Sequence, residues 1–159
     1  MTTKVLMVCL GNICRSPLAA GILKNIVRLR NEADKYFIDS AGTASYHIGA
    51  LPDPRSRNVA VNHGFRLEHK ARQITLDDFK TFDHILVMDK SNLANVLKLT
   101  QNSEERAKVQ LITDFDPRVD RLEVVPDPYY GENAEFERVY DQLVICSEGF
   151  LSKRVSAKL

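Results

Sequence analysis

Val5-Leu6-Met7-Val8-Cys9-Leu10-Gly11-Asn12-Ile13-Cys14-Arg15-Ser16-Pro17 divides into three parts, and the division decides the fold. The first four residues are a short apolar run rich in branched side chains, the pattern of a buried strand. Gly11 and Asn12 interrupt the run, so a loop follows the strand. Ser16 then offers a good N-cap hydroxyl, and Pro17 has a ring already set for a first helical turn. Beyond them Leu18, Ile22, Leu23, Ile26 and Leu29 recur at helical spacing. Cys9 to Ser16 is therefore expected to connect a strand to a helix.

The same alternation continues outward from this unit. Tyr36-Phe37-Ile38-Asp39-Ser40-Ala41 reads as a second strand ending at Gly42, and the loop after it runs through Pro52 and Pro54. A short helix is expected from about Arg55 to Gly64, a residue suited to the left-handed position after a helix end. His84-Ile85-Leu86-Val87-Met88 reads as a third strand, Asn92 to Lys98 as helix, and Val109-Gln110-Leu111-Ile112 as a fourth strand. A last helix is expected with Asn133 as cap, Glu135 and Glu137 in its first turn, and Phe136, Val139, Tyr140, Leu143, Ser147 and Phe150 on its apolar face. This order favours a doubly wound α/β fold, Rossmann-like or flavodoxin-like, with helices on both faces of a parallel sheet and ligands beyond the carboxyl ends of the strands. Residues 1–159 are read as a single domain, since their number suits one core and no repeat or linker divides them.

Composition narrows the functional classes. Twenty-two Lys plus Arg against twenty-one Asp plus Glu leave a net charge of +1, so no overall field points to nucleic acid or a membrane surface. No apolar run approaches the roughly 20 residues that span a bilayer. Three cysteines cannot all pair, and no leader-like segment precedes Lys4, so a cytoplasmic, reducing setting is expected. The basic pairs Arg28/Arg30, Arg55/Arg57 and Lys70/Arg72 read as solvated charges.

Chemistry concentrates in the first loop. Five residues separate Cys9 from Arg15, enough to curl so that backbone N–H groups point inward and join the free N–H groups of the following helix around a phosphate dianion. Gly11 permits close approach of the backbone, and Asn12 tolerates a positive φ. The planar guanidinium of Arg15 can bond two phosphoryl oxygens at once. Such an electropositive cradle favours the thiolate of Cys9, to which Ser16 can add a hydroxyl donor. A thiolate beneath a phosphoryl group is an in-line nucleophile, so a phosphocysteine intermediate is expected without metal or cofactor. A nucleotide P-loop is excluded here because the Gly-Lys-Ser/Thr ending is missing. A thioredoxin-type motif is excluded because four residues, not two, separate Cys9 from Cys14.

Departure of the leaving oxygen needs a proton. The expected donor is Asp127, held between Pro126 and Pro128, whose rings stiffen the loop that presents it. Tyr129 and Tyr130 either wall a cleft for an aromatic substrate or pack on the core. Cys14 is not required by this chemistry. It is either a redox partner that traps an oxidised Cys9 as a disulfide or a small apolar side chain packed beneath the loop. A zinc site from Cys9, Cys14, His63 and His69 lacks the usual ligand spacing.

Taken together, the sequence resembles the low-molecular-weight protein tyrosine phosphatases over nearly its whole length. The resemblance rests on Val8 to Pro17, Asp39-Ser40-Ala41, His69 with Ala71-Arg72-Gln73-Ile74-Thr75, Val87-Met88-Asp89, and Asp127-Pro128-Tyr129-Tyr130-Gly131. It implies a four-stranded parallel sheet in order 2-1-3-4, with Cys9 as nucleophile, Arg15 as phosphate clamp and Asp127 as acid then base. It further implies that Asn12, Ser16, Ser40 and His69 form a hydrogen-bond network shaping the loop, and that Leu10, Ile13, Tyr46 and Tyr129 line its entrance. His47 and Ala50 fall on a loop that varies within that family. The implied activity is hydrolysis of phosphotyrosine and aryl phosphate monoesters, with phosphotyrosine proteins as partners, inorganic phosphate as product, and a monomer or weak homodimer as the working form. Similar proteins that reduce arsenate carry further mid-chain cysteines, absent here between Cys14 and Cys146. Similar phosphoarginine phosphatases carry threonine where Ile13 stands. A phosphopeptide-binding module, the rival from outside enzymology, would not need both Cys9 and Asp127.

Overall fold

The computed structural model describes residues 1–157; the last two residues of the expected 1–159 domain lie outside the described residues. Four parallel strands form one sheet in the order β2-β1-β3-β4: β1 (Thr3–Cys9), β2 (Tyr36–Gly42), β3 (His84–Val87) and β4 (Val109–Leu111). The expected order 2-1-3-4 is thus the observed one. β1 is buried on both faces, as a central parallel strand must be, and its side chains alternate between two cores. Val5, Met7 and Cys9 join α1 (Arg15–Leu29), α2 (Pro54–Asn62) and α6 (Asn133–Ala157) through Leu18, Ile22, Val59, Phe136 and Leu143. Leu6 and Val8 face α3 (Asp78–Thr81) and α4 (Lys90–Leu97) through Phe79 and Val96. A short α5 (Ser103–Ala107) precedes β4.

α6 closes the first face. Phe136, Leu143, Cys146, Ser147 and Phe150 are all buried, and the two phenylalanines contribute about 1.5–3 kcal/mol each by leaving water. Gly149 lets the helix approach the turn Ile112–Phe115 so closely that a Cβ there would sit 1.8 Å from the Phe115 carbonyl oxygen. From β1 the chain moves out to β2, then returns past β1 to β3 on its other side. The carboxyl end of β1, where Cys9 lies, is therefore the point at which the winding reverses and a crevice opens.

Local departures from the sequence expectation have physical causes. Ser16 is not the N-cap of α1: the helix already begins at Arg15, and the Ser16 hydroxyl turns into the loop instead. Leu29 is exposed and Val27 takes its place in the core. Ile112 does not extend β4 but opens the following 3-10 turn, and Asn133 is the first residue of α6 rather than its cap. α3 and α5, four and five residues long, carry too little periodicity to be read from sequence.

Candidate active site

The loop after β1 is held by its carbonyls. Those of Cys9, Leu10 and Ile13 accept from the backbone N–H groups of Thr43, Ala44 and Asp53, at 2.9, 3.0 and 2.8 Å. The Cys14 carbonyl accepts from the Ser56 hydroxyl at 3.2 Å. In a planar trans peptide C=O and N–H point in opposite directions, so four outward carbonyls turn the N–H groups of Leu10, Gly11, Cys14 and Arg15 toward the concave side. Gly42 makes this packing feasible, since a Cβ there would lie 2.6 Å from the Leu10 carbonyl oxygen.

Asn12 fixes the curl. Its φ is 58°, and its side chain is buried and uses its full bonding capacity. Nδ2 donates to Ser16 Oγ at 2.8 Å and to Ser40 Oγ at 2.9 Å, while Oδ1 accepts from the Arg72 backbone N–H at 3.0 Å. His69 Nε2 lies 2.7 Å from the same oxygen and must carry its proton to donate to it. Burial, with the charges of Lys24 and Arg72 against that of Asp39, holds the His69 imidazole below its ordinary value of 6.5. Because Asn12 donates to Ser16, the single hydroxyl proton of Ser16 is left for Cys9 Sγ at 3.0 Å or for the Ala41 carbonyl at 3.3 Å. A thiolate at Cys9 draws it to sulfur.

Arg15 is buried, with 3 % of its side chain exposed. Nη1 donates to Asp89 Oδ2 at 2.7 Å and to the Val125 carbonyl at 2.9 Å, leaving Nη2 to face Asp127 Oδ2 at 3.8 Å. Asp89 also caps α4 by accepting the Asn92 N–H at 2.8 Å, so one carboxylate ties the arginine to a helix start. Asp127 is 46 % exposed, and its Oδ1 accepts the Tyr129 N–H at 3.1 Å. Cys9, Leu10, Gly11, Ile13, Cys14, Arg15 and Asp127 line one cleft of about 290 Å³ with Tyr46, His47, Tyr129 and Tyr130. Tyr129 and Tyr130 meet edge to face at 5.0 Å, and Tyr130 is 96 % exposed, so the tyrosines wall the cleft and do not pack into the core.

All three cysteines are free. Burial first, then the nearby Asp53 carboxylate, pushes the Cys14 thiol up, and burial pushes Cys146 up to about 12. His63 stacks on Tyr140 at 3.8 Å and meets Glu137 at 3.0 Å. Among the described residues no cluster of three or more His, Cys, Asp or Glu side chains is placed to hold a metal. Two of the supposed solvated charges are nothing of the kind. Arg72 bridges Asp39 and Asp78 at 3.0–3.1 Å, and Arg55 bonds the backbone of the Asp127 loop. Neither role, nor that of Asp89, has a local signal, because at least one partner of each lies far along the chain.

A thiol at a strand end under a ring of inward amides, with an arginine closing the loop, is the architecture of cysteine-dependent phosphatases. Comparison with known proteins gives the particular family. Residues 4–159 match the family model of low molecular weight phosphotyrosine protein phosphatase. The pig low molecular weight phosphotyrosine protein phosphatase is 45 % identical over 154 residues, covering 96 % of each chain. The crystal structure of a protein tyrosine phosphatase from Entamoeba histolytica superposes with a TM-score of 0.93 at 38 % identity, over 99 % of this chain and 100 % of that one. That of a Drosophila arginine phosphatase reaches 0.89 at 35 % identity, over 96 % and 98 %. The chain belongs to the low molecular weight phosphotyrosine protein phosphatases and is a hydrolase of that family.

Proposed function

We propose that Cys9, Arg15 and Asp127 carry out phosphotyrosine hydrolysis in two displacements. In the first, the Cys9 thiolate attacks phosphorus in line, the S–P bond forms as the P–O bond to the tyrosyl oxygen breaks, and Asp127 gives its proton to that oxygen. In the second, Asp127 takes a proton from water, whose oxygen attacks phosphorus; the S–P bond breaks, the thiolate returns and inorganic phosphate leaves. Inward amides and Arg15 stabilise the charge on the equatorial oxygens in both transition states. Ser16, set by Asn12, Ser40 and His69, donates to the sulfur as it departs. The observation that carries this reading is the placement of Cys9, Arg15 Nη2 and the Asp127 carboxylate on one cleft, the last two 3.8 Å apart.

The substrates on this reading are phosphotyrosine proteins and aryl phosphates. Ile13 and the aromatic walls offer an apolar slot to a flat ring, whereas the fold is shared with a protein named for arginine phosphatase activity and does not discriminate by itself. The working form on this reading is a monomer or weak homodimer, as the family resemblance implies. No helix among the described residues is long and apolar enough to cross a membrane, and three free thiols support a cytoplasmic setting. Cys9 and Cys14 line the same cleft, which supports Cys14 as redox partner.

The test is a Cys9→Ser variant with an acid-quench trap. Loss of turnover by at least about 10⁴-fold is expected, with wild type yielding a phosphate-labelled Cys9 peptide during turnover of a phosphotyrosyl peptide and little turnover of phosphoarginine. A fully active Cys9→Ser protein, or label on another residue, rejects the mechanism.

A further inference from the structure

The start of α2 touches both catalytic loops. Asp53 N–H donates to the Ile13 carbonyl at 2.8 Å and the Ser56 hydroxyl to that of Cys14 at 3.2 Å, so this turn buttresses the cysteine loop from outside. Between them stands Arg55, whose side chain points the other way. Nη1 donates to the Gly131 carbonyl at 2.7 Å and Nη2 to that of Tyr129 at 2.8 Å. Nε and Nη2 are also held by the Asp53 carboxylate at 3.0 and 2.9 Å, and the guanidinium lies 4.4 Å from the centre of the buried Phe136 ring. Asp53 aims the fork from one side and Phe136 supports its face from the other. Tyr129, whose carbonyl Arg55 holds, gives its own N–H to Asp127 Oδ1 at 3.1 Å.

Resting on the assignment of Asp127 as acid, we infer that Arg55 is a positioning residue that fixes the acid loop at its working distance from the cysteine loop. It touches neither thiol nor phosphate in this scheme. Its effect passes through Tyr129 to the carboxyl group. The consequence is a selective defect: without the clamp the cradle keeps its own buried supports, but proton delivery becomes misplaced, and small misplacements of a catalytic group are costly. Lysine cannot substitute, because a point-like ammonium does not reach two carbonyls and a carboxylate at once.

The experiment compares Arg55→Ala, Arg55→Lys, Asp127→Ala and the double variant Arg55→Ala/Asp127→Ala, with thermal melts as a check on folding. Arg55→Ala and Arg55→Lys should each lower kcat on phenyl phosphate by about tenfold or more, and on an activated aryl phosphate by less than about twofold, since only a basic leaving oxygen needs the proton. Inhibition by inorganic phosphate should be unchanged. In the Asp127→Ala background, Arg55→Ala should cost nothing further, because its route to the chemistry is already gone. Equal losses on both substrates, weaker phosphate binding, or a full additional loss in the double variant overturns the inference while Asp127 keeps its role. If Asp127→Ala alone slows both substrates equally, the acid assignment fails and the clamp falls with it. Should Arg55→Ala prove unstable, Arg55→Lys, which retains the aliphatic stem and the positive charge, carries the same comparison.

Discussion

The two loops that meet at the cleft are held in opposite ways. The cysteine loop is supported from within: Asn12, Ser16, Ser40 and Arg15 are buried, and every polar atom of the Asn12 amide is engaged. The acid loop is supported from its flank, by Arg55 on two carbonyls, while Asp127 and both tyrosines remain open to solvent. A group that must recognise a dianion gains from fixed geometry, since donors that need no reorganisation stabilise the transition state most. A group that must exchange a proton with a leaving oxygen and then with water needs access as well as aim.

The sharpest test of this contrast is stability. Asn12→Ala removes four hydrogen bonds, takes a donor from the Ser16 and Ser40 hydroxyls and an acceptor from the Arg72 and His69 N–H groups, and places alanine at positive φ. It should cost about 3 kcal/mol or more, a fall in Tm of roughly 6–12 °C for a chain of this size. Asp127→Ala should stay within about 0.5 kcal/mol of wild type. Comparable melts for the two variants would erase the distinction between an internally and a laterally supported loop.

A second test probes the interior loop by oxidation. On the proposed redox role of Cys14, peroxide converts the Cys9 thiolate to a sulfenic acid, and condensation with the Cys14 thiol releases water and forms a disulfide that dithiothreitol reopens. Burial keeps Cys14 protonated, so it does not compete with Cys9 for phosphorus, and its thiol must give up that proton as it attacks the sulfenic sulfur. Wild type should regain most of its activity on reduction, and Cys14→Ser, active before treatment, several-fold less. Equal recovery would return Cys14 to a packing role.

The smallest effect concerns pH. His69 is held below its ordinary 6.5 in the folded chain, so between that value and its folded one the unfolded state binds more protons. Its contribution to stability is complete above pH 6.5 and declines as pH falls through that window. His69→Gln, which keeps an N–H donor, should flatten the drop in Tm between about pH 7 and pH 5. An unchanged slope would assign that drop to other groups.

How much of this was legible in the sequence depended on distance along the chain. The strand, loop and helix around Cys9 could be read because strand pattern, glycine, arginine spacing and proline are all local. Ser16 reads two ways from the same local signals, as a cap before proline and as a hydroxyl donor to the Cys9 sulfur, and only the second holds. Ser40 and His69 entered only through the family resemblance, and the geometry brings both to Asn12. Asp89 and Arg72 stood in that resemblance without a role, and Arg55 did not stand in it. Asp89 meets Arg15 across 74 positions and Arg55 meets Gly131 across 76, and a charged residue with a distant partner reads like one facing solvent.

The complete bonding of Asn12 bears on how turnover ends. On the proposed mechanism, a cradle already shaped for a phosphoryl group would hold the freed anion with the same amides and the same guanidinium that received the ester. On that mechanism, phosphate released in the second displacement would compete with each new substrate for the same cradle.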